Sequence, residues 1–282
     1  MNEIKIVGVV GAGQMGAGIA QVLCVAGHAT LLFDANPEAL RLGMSSIHQR
    51  LNQAVDKGKL AADVRDSAKQ NLTQANSLSD LSGCDLVIEA IIEQFDVKAS
   101  IFKQLDAILP PASLLASNTS SISITRMAAT TSRPDKFMGA HFMNPVPVMN
   151  LVELIRGLQT SDETYQRVQA LCTSIKKTTV LAIDGPGFIV NRILCPMINE
   201  AIFLVQEGVA AIDIDNAMKL GTNHPMGPLT LADFVGLDTL LYILQLFHRE
   251  LGEDKYRPCP LLVKYVDAGW FGKKSGRGFY TY

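Results

Sequence analysis

A glycine-rich turn, GAGQMG at 11–16, constrains the fold more than any other feature because of what stands on either side of it. Residues 4–10 (IKIVGVV) are almost continuously apolar, as expected of a strand buried on both faces of a parallel sheet. Residues 14–26 then place apolar side chains on one helical face, and 30–33 form a second apolar run that ends at Asp34. Strand, turn, helix and strand in this order predict a βαβ unit, and therefore a chain that builds a parallel sheet.

The turn matches the G-x-G-x-x-G pattern of dinucleotide-binding sites. Gly11 permits a tight turn, Gly13 lets the main chain approach a pyrophosphate, and Gly16 lets the helix pack closely on the strand. The helix start offers N–H donors and a partial positive charge to the phosphates. Asp34 lies about 20 residues downstream, where an acceptor for a ribose 2′-hydroxyl is required.

A packing turn with a solvated aspartate is the alternative interpretation of this stretch. The complete order of strand, turn, helix, strand and acid favours NAD, and Asp34 would repel the 2′-phosphate of NADP. The residues predicted to bind the cofactor here are Gly11, Gly13, Gln14, Met15, Gly16 and Asp34.

Strand and helix patterns alternate up to about residue 184. Further strands are predicted at 85–90, 114–117, 137–142, 151–156 and 178–183, with helices at 37–57, 94–108, 122–130 and 162–176. This alternation predicts a doubly wound α/β domain of the Rossmann type over 1–184. After DGPGF only helical patterns follow, which predicts an all-α C-terminal domain over 185–282. Its helices are predicted at 186–207, 213–220, 228–250 and 260–268.

Composition and charge exclude several classes of protein. The formal net charge of -2 argues against a protein that coats nucleic acid, because phosphate neutralisation needs a cationic excess. The N-terminus has no leader pattern, and no apolar run has the length needed to cross a bilayer. The five cysteines are scattered without a C-x-x-C pair, which favours reduced thiols in the cytoplasm over disulfides or a metal site.

One stretch in the middle of the chain, HFMNPVPVMNLVE at 141–153, combines a strand end, a proline-restricted turn and a returning strand. His141 ends the predicted strand, and strand ends at the carboxyl edge of a doubly wound sheet line the ligand crevice. If the chain returns beside that strand, Glu153 faces His141. A carboxylate on one imidazole nitrogen would fix the tautomer, and the other nitrogen could then take a proton from a substrate hydroxyl. A buried glutamate that only satisfies a core histidine explains the spacing equally well.

Three further groups of polar residues are candidates. The run SNTSS at 117–121 follows another predicted strand, where its hydroxyls could bind a ligand or cap the helix that begins near 122. Asn191 lies in the second turn of a very apolar helix, too late to be a cap, and a buried amide there needs partners such as a substrate oxygen. Arg50 and Lys57 share one helix face, which is either a solvated surface or a contact for the phosphates of a coenzyme A thioester.

Together these motifs resemble the short-chain 3-hydroxyacyl-CoA dehydrogenase family, most closely its bacterial 3-hydroxybutyryl-CoA branch. The resemblance runs nearly end to end and rests on GAGQMGAGIAQ, IEAIIE, ASNTSS, GAHFMNPVPVMNLVE, DGPGFIVNR, HPMGPLTLADFVGLD and GWFGKKSGRGFY. It implies an NAD-dependent enzyme that oxidises an (S)-3-hydroxyacyl-CoA thioester to the 3-oxoacyl-CoA. It further implies that the helical C-terminal domain closes over the site and forms a homodimer.

The resemblance also implies roles for individual residues. His141 and Glu153 match the catalytic pair of the family, and Ser120 and Asn191 match the residues that hold the substrate beside it. The residues implied around the nicotinamide end of NAD are Glu93, Lys98, Ser120, Asn144 and Lys274. Arg50 and Lys57 are implied near the phosphates of coenzyme A.

Two competing functions remain at this point. Dehydrogenases of free 3-hydroxy acids share a similar glycine-rich start, but they resemble a pattern with a catalytic lysine in the second domain, where GFIVNR supplies Asn191 instead. A non-catalytic NAD-binding relative is disfavoured by the intact His141 and Glu153. The acyl chain is open between 3-hydroxybutyryl, longer and dicarboxylic 3-hydroxyadipyl groups, as is the physiological direction.

Overall fold

An eight-stranded sheet organises the first of the two units into which the chain divides, Met1–Asp184 and Gly185–Tyr282. The structure, a computed structural model, describes residues 3–282. The strands are β1 Ile6–Val10, β2 Ala29–Phe33, β3 Leu72–Gln74, β4 Leu86–Glu89, β5 Leu114–Ser117, β6 Phe137–Phe142, β7 Leu151–Arg156 and β8 Thr178–Ile183. Their order is β3-β2-β1-β4-β5-β6-β7-β8, and all adjacent strands are parallel except β6 and β7.

Helices between the strands flank this sheet. They are α1 Gln14–Val25, α2 Pro37–Asp56, α3 Ala62–Asn71, α4 Phe95–Ile108, α5 Ile124–Ala128 and α6 Asp162–Ser174. Strands β4, β5 and β6 are buried at every position, which explains why their sequences are mostly apolar rather than alternating; the polar residues are Glu89, Ser117 and His141, at or near the strand ends. The predicted doubly wound α/β class is confirmed.

The second unit is built from helices around its own apolar core. The helices are α7 Val190–Gln206, α8 Ala211–Thr222, α9 Pro228–Val235, α10 Leu237–Leu251 and α11 Pro260–Asp267. Ile202, Leu244 and Phe247 are among the fully buried side chains of that core. Within residues 3–282, no single helix is long and apolar enough to cross a membrane; α9 and α10 reach that length only as a pair, and they are bent by 98° at their junction.

The sequence patterns missed one helix and one strand, α3 and β3. Ala68 is the buried residue of α3, and Leu72 that of β3, so neither element carries the apolar repeat from which the others were predicted. Strand β3 is also at the edge of the sheet, where a short strand needs little apolar surface.

Two predicted helices of the second unit were wrong in extent. The helix predicted over 228–250 is two helices, because Gly236 between them has a φ of 104° that ends the first. The helix predicted to begin at Pro186 begins at Val190, because Gly187 and Phe188 both adopt the left-handed region. Pro186 therefore lies in the preceding turn rather than in the first turn of α7.

Candidate active site

The glycine-rich turn between β1 and α1 has the geometry that a dinucleotide site requires. Gly11 has a φ of 105°, and a Cβ at Gly16 would lie 1.7 Å from the Gly11 carbonyl oxygen. A Cβ at Gly13, in contrast, would meet nothing within 4 Å among the described residues, so the main chain is open to a ligand there. The first turn of α1, with Gln14 and the partly buried Met15, follows Gly13 without a side-chain cap. These N–H donors at a helix start fit a pyrophosphate.

Asp34 is fixed beside this turn at the carboxyl end of β2. Its Oδ2 accepts a hydrogen bond from the Ala12 amide at 2.8 Å, and its Oδ1 accepts one from the Asn36 amide at 2.9 Å. The carboxylate is thus held against the turn by the main chain itself. This arrangement fits the ribose of NAD, and the predicted contacts of Gly11, Gly13, Gln14, Met15, Gly16 and Asp34 with the dinucleotide stay predictions.

His141 and Glu153 lie directly opposite each other on the antiparallel pair β6 and β7. His141 Nδ1 and Glu153 Oε2 are 2.7 Å apart, and the glutamate side chain is fully buried. The predicted return of the chain beside β6 is therefore observed, and it brings the two side chains into hydrogen-bond contact. An ionised carboxylate can only accept, so an ionised Glu153 beside a neutral ring would place the ring proton on Nδ1 and the lone pair on Nε2.

The turn that joins β6 to β7 contacts the two neighbouring loops at the carboxyl edge of the sheet. The Phe142 amide, next to His141, donates to Asn118 Oδ1 at 2.9 Å. Asn144 Oδ1 accepts from Gln14 Nε2 at 3.0 Å, and the peptide bond between Asn144 and Pro145 is cis. The end of β6 and the turn after it therefore contact the loop after β5 and the start of α1.

Glu93 organises the SNTSS loop that carries Ser120. Its Oε1 accepts from Thr119 Oγ1 at 2.5 Å, from the Ser120 amide at 2.9 Å and from Ser121 Oγ at 2.9 Å. Burial alone would raise the pKa of Glu93, but the Lys98 ammonium and these hydrogen bonds outweigh it and hold the pKa below its usual range. The carboxylate stays ionised and fixes the loop. The cap of α5 is Ser123, so of the two alternatives for residues 117–121, the one in which they cap this helix was wrong.

A second carboxylate, Glu89 at the end of β4, binds the same lysine. Lys98 Nζ lies 2.5 Å from Glu89 Oε1 and 3.2 Å from Glu93 Oε2, and Ser117 Oγ donates to Glu89 Oε2 at 2.6 Å. Burial raises the pKa of Glu89, and Lys98 offsets this only in part. Lys98 is thus enclosed by protein acceptors, and its predicted contact with NAD stays a prediction.

Arg50 and Lys57 occupy different environments. Arg50 is half-buried on α2, and its Nε donates to Gln21 Oε1 at 2.6 Å, while burial lowers its pKa. Its Nη2 is buried without a hydrogen-bond partner in the part of the chain that the structure describes. Lys57 is exposed at the C-cap of α2. Their predicted contact with coenzyme A phosphates stays a prediction.

The two predicted site residues of the second unit, Asn191 and Lys274, come near the start and near the end of its sequence. Asn191 is the second residue of α7, so its predicted place in the second helical turn was wrong. Lys274 lies near the C-terminus, and its Nζ donates to Asp238 Oδ2 at 2.6 Å.

Sequence reasoning missed two buried residues beside the site, Glu89 and Lys177. Glu89 is an acid at the end of an apolar strand, which is the signal that identified Asp34, and the same argument would have found it. Lys177 follows another lysine, Lys176, and nothing in the sequence indicates which of the two is buried.

Two descriptions of known protein families match the chain. "3-Hydroxyacyl-CoA dehydrogenase, NAD binding domain" matches residues 6–185, and "3-hydroxyacyl-CoA dehydrogenase, C-terminal domain" matches residues 187–282. Together the two matches cover both structural units.

Individual proteins match over most of their length. The chain is 53% identical to a 3-hydroxybutyryl-CoA dehydrogenase of Bradyrhizobium diazoefficiens, over 99% of this chain and 96% of that one. It is 43% identical to the mitochondrial hydroxyacyl-coenzyme A dehydrogenase of Homo sapiens, over 99% and 91% of the two chains. The crystal structure of (S)-3-hydroxybutyryl-CoA dehydrogenase from Ralstonia eutropha superposes with a TM-score of 0.97 at 48% identity and 99% coverage of both chains.

Proposed function

The chain belongs to the 3-hydroxyacyl-CoA dehydrogenase family of NAD-dependent oxidoreductases, and we propose that it interconverts an (S)-3-hydroxyacyl-CoA and the 3-oxoacyl-CoA at the His141–Glu153 pair. The observation that carries this proposal is the 2.7 Å separation of His141 Nδ1 and Glu153 Oε2. A histidine oriented by a buried carboxylate is a typical general base for a hydroxyl group.

His141 moves the proton in this reaction. In the oxidation, Nε2 takes the proton of the 3-hydroxyl group, and in the reduction it returns that proton to the carbonyl oxygen. NAD, when bound, supplies the acceptor for the hydride that leaves the carbon bearing the 3-hydroxyl group. Glu153 accepts from Nδ1 throughout, so it orients the ring and stabilises the imidazolium that forms.

Ser120 and Asn191 are proposed to hold the reacting oxygens. Ser120 is supported by its place in the loop that Glu93 fixes, because the amide of Ser120 itself donates to that carboxylate. The Ser120 hydroxyl makes a long contact of 3.4 Å with Glu93 Oε1, so it is held in the loop and would exchange this acceptor for a substrate oxygen. For Asn191 the support is the family pattern DGPGFIVNR alone.

A short acyl chain is the proposed substrate class, with 3-hydroxybutyryl-CoA as its first member. The support is that the similar proteins of Bradyrhizobium diazoefficiens and Ralstonia eutropha carry that substrate in their names. Comparing kcat/KM along a series of 3-oxoacyl-CoA thioesters tests this: it should be highest at four carbons. A maximum at a longer or a dicarboxylic chain would replace the proposed substrate.

The decisive experiment follows NADH absorbance with acetoacetyl-CoA. Wild-type protein should turn over, and His141→Ala should lower kcat at least about 10²-fold, the usual contribution of a general acid–base group. His48→Ala, a partly exposed histidine on α2, is the matched control and should leave kcat unchanged. Wild-type protein that binds NADH without turnover would be a non-catalytic relative. Full activity of His141→Ala would remove this residue from the mechanism.

A further inference from the structure

The turn between β6 and β7, residues 143–150, sets how Glu153 returns to His141. Its two prolines have no N–H group, so the turn is poor in donors of its own. The amides of Val148 and Met149 both donate to the Pro145 carbonyl, at 2.9 and 3.0 Å. Other carbonyl groups of the turn therefore depend on donors from elsewhere in the chain.

Lys177, the residue before β8, supplies those donors. Its Nζ donates to the Val146 carbonyl at 2.6 Å and to the Met149 carbonyl at 2.7 Å. The next residue continues the pattern, because the Thr178 amide donates to the Asn150 carbonyl at 2.8 Å. One short segment thus binds three carbonyl groups of the turn.

The environment of Lys177 is unusual for a lysine. The residue is buried, burial lowers its pKa, and both hydrogen bonds of its ammonium go to neutral carbonyl groups rather than to a carboxylate. Burying an ammonium group costs free energy. A buried lysine here therefore indicates that the carbonyl groups of the turn gain more from a charged donor than the core would gain from an apolar side chain.

The opposite side of the turn packs against α1. A Cβ at Gly18 would lie 2.9 Å from the Val146 Cβ, which is closer than two such atoms normally approach. Val146 therefore has the nucleotide-binding helix on one side, while Lys177 binds its carbonyl oxygen. Two constraints on one residue fix the turn more firmly than either does alone.

We propose that Lys177 is a positioning residue for the reaction: its ammonium holds the turn 143–150 so that β7 returns with Glu153 opposite His141. This inference rests on the proposed function, because it acts through the His141–Glu153 pair. Lys177 does not touch the reacting atoms.

A double-mutant cycle tests the proposal. Lys177→Met removes the donors and keeps most of the apolar stem, and it should lower kcat about tenfold or more, because small misplacements of a catalytic group are costly. NADH affinity should change little. In a Glu153→Gln background, the same substitution should lower kcat by less than about twofold, because the pair it positions is already impaired.

A matched control is Lys136→Met. Lys136 Nζ also donates to a main-chain carbonyl, that of Pro111 at 2.8 Å, but outside the turn. The kcat of Lys136→Met should equal that of the wild type. If Lys177→Met does not fold, as judged by circular dichroism, Lys177→Gln enters the same cycle. Its shorter, neutral side chain cannot offer a charged donor to both carbonyl groups, so it should still lower kcat several-fold in the wild-type background and less than about twofold with Glu153→Gln.

The outcomes are distinguishable. Equal losses in the two backgrounds, or no loss of kcat, would overturn the positioning role while leaving the proposed function intact. If Glu153→Gln alone retains full activity, the catalytic pair itself fails. If the wild-type protein shows no turnover, the proposed function fails before the cycle begins.

Discussion

Lys98 is a charged residue that is buried near the candidate site and bound by acceptors of the protein itself. Its side chain is 1% exposed, and its ammonium lies between Glu89, Glu93 and the Ile91 carbonyl. The two carboxylates share one cation, and their pKa values shift in opposite directions. At Glu89 the effect of burial is the larger, and the pKa is raised. At Glu93 the effect of burial is outweighed by Lys98 and the hydrogen bonds from the loop, and the pKa is lowered. The cluster joins the ends of β4 and β5 to the loop that carries Ser120.

We predict that Lys98→Met lowers the free energy of unfolding by about 3 kcal/mol or more, because it leaves buried carboxylates without their cation. Urea unfolding followed by circular dichroism measures this. Lys103→Met, an exposed lysine on the same helix, should change stability by less than about 0.5 kcal/mol.

The alternative function of Lys98 is a direct contact with NAD. In that case Lys98→Met would weaken NADH binding while unfolding at the same urea concentration as Lys103→Met. Such a result would contradict a structural role for the cluster.

At the scale of single residues, the sequence identifies those whose position along a strand determines their environment. His141, Glu153 and Asp34 stand at strand ends or on a returning strand, and the crevice rule predicts what surrounds them. Lys177 differs because its burial depends on the path of a turn that precedes it by 27 to 34 positions. Long-range contacts of this kind have no local signature, so Lys176 and Lys177 look alike in the sequence.

At the scale of elements, α1 contacts both the nucleotide turn and the turn between β6 and β7. Gly16 lets α1 approach the Gly11 carbonyl, and Gly18, one half-turn further, lets it approach Val146. One helix therefore contacts both the glycine-rich turn and the turn that leads to Glu153.

We predict that Gly18→Ala destabilises the protein although alanine favours a helix by about 1 kcal/mol. The new Cβ would lie 2.9 Å from Val146 Cβ, and such overpacking typically costs about 1–3 kcal/mol. The melting temperature should fall, and kcat should fall with it because the turn is displaced.

Gly221→Ala in α8 is the control. A Cβ there meets nothing within 4 Å among the described residues, so this substitution should not lower the melting temperature. If both alanines behave alike, the close approach of α1 to the turn does not limit stability.

Elements were predictable where burial imposed a pattern. Strands β5 to β8 match their predicted bounds because each is bordered by turn residues and carries an apolar run or alternation. The junction of α9 and α10 was missed because the apolar repeat continues through it, and only the backbone at Gly236 reveals the break. Periodicity detects apolar faces, and it does not detect a change of helix direction between them.

At the scale of the whole molecule, the second unit leaves apolar side chains exposed. Ile193 on α7 is 67% exposed and Leu220 on α8 is 85% exposed. The two side chains lie on helices that contact each other, and large apolar side chains exposed on neighbouring elements favour an interaction site. The resemblance to a dimeric family gives the same expectation, a homodimer formed through this unit.

We therefore predict that light scattering gives a mass of about twice the 30.5 kDa of one chain. In the double variant Ile193→Glu/Leu220→Glu, the dimer should dissociate at micromolar concentration, because carboxylates buried at an apolar interface lack partners. Leu158→Glu is the control, since Leu158 is 88% exposed but lies in the first unit, and it should stay dimeric. A monomeric wild type would refute the dimer. Dissociation by Leu158→Glu, with the double variant still dimeric, would move the interface to the sheet-containing unit.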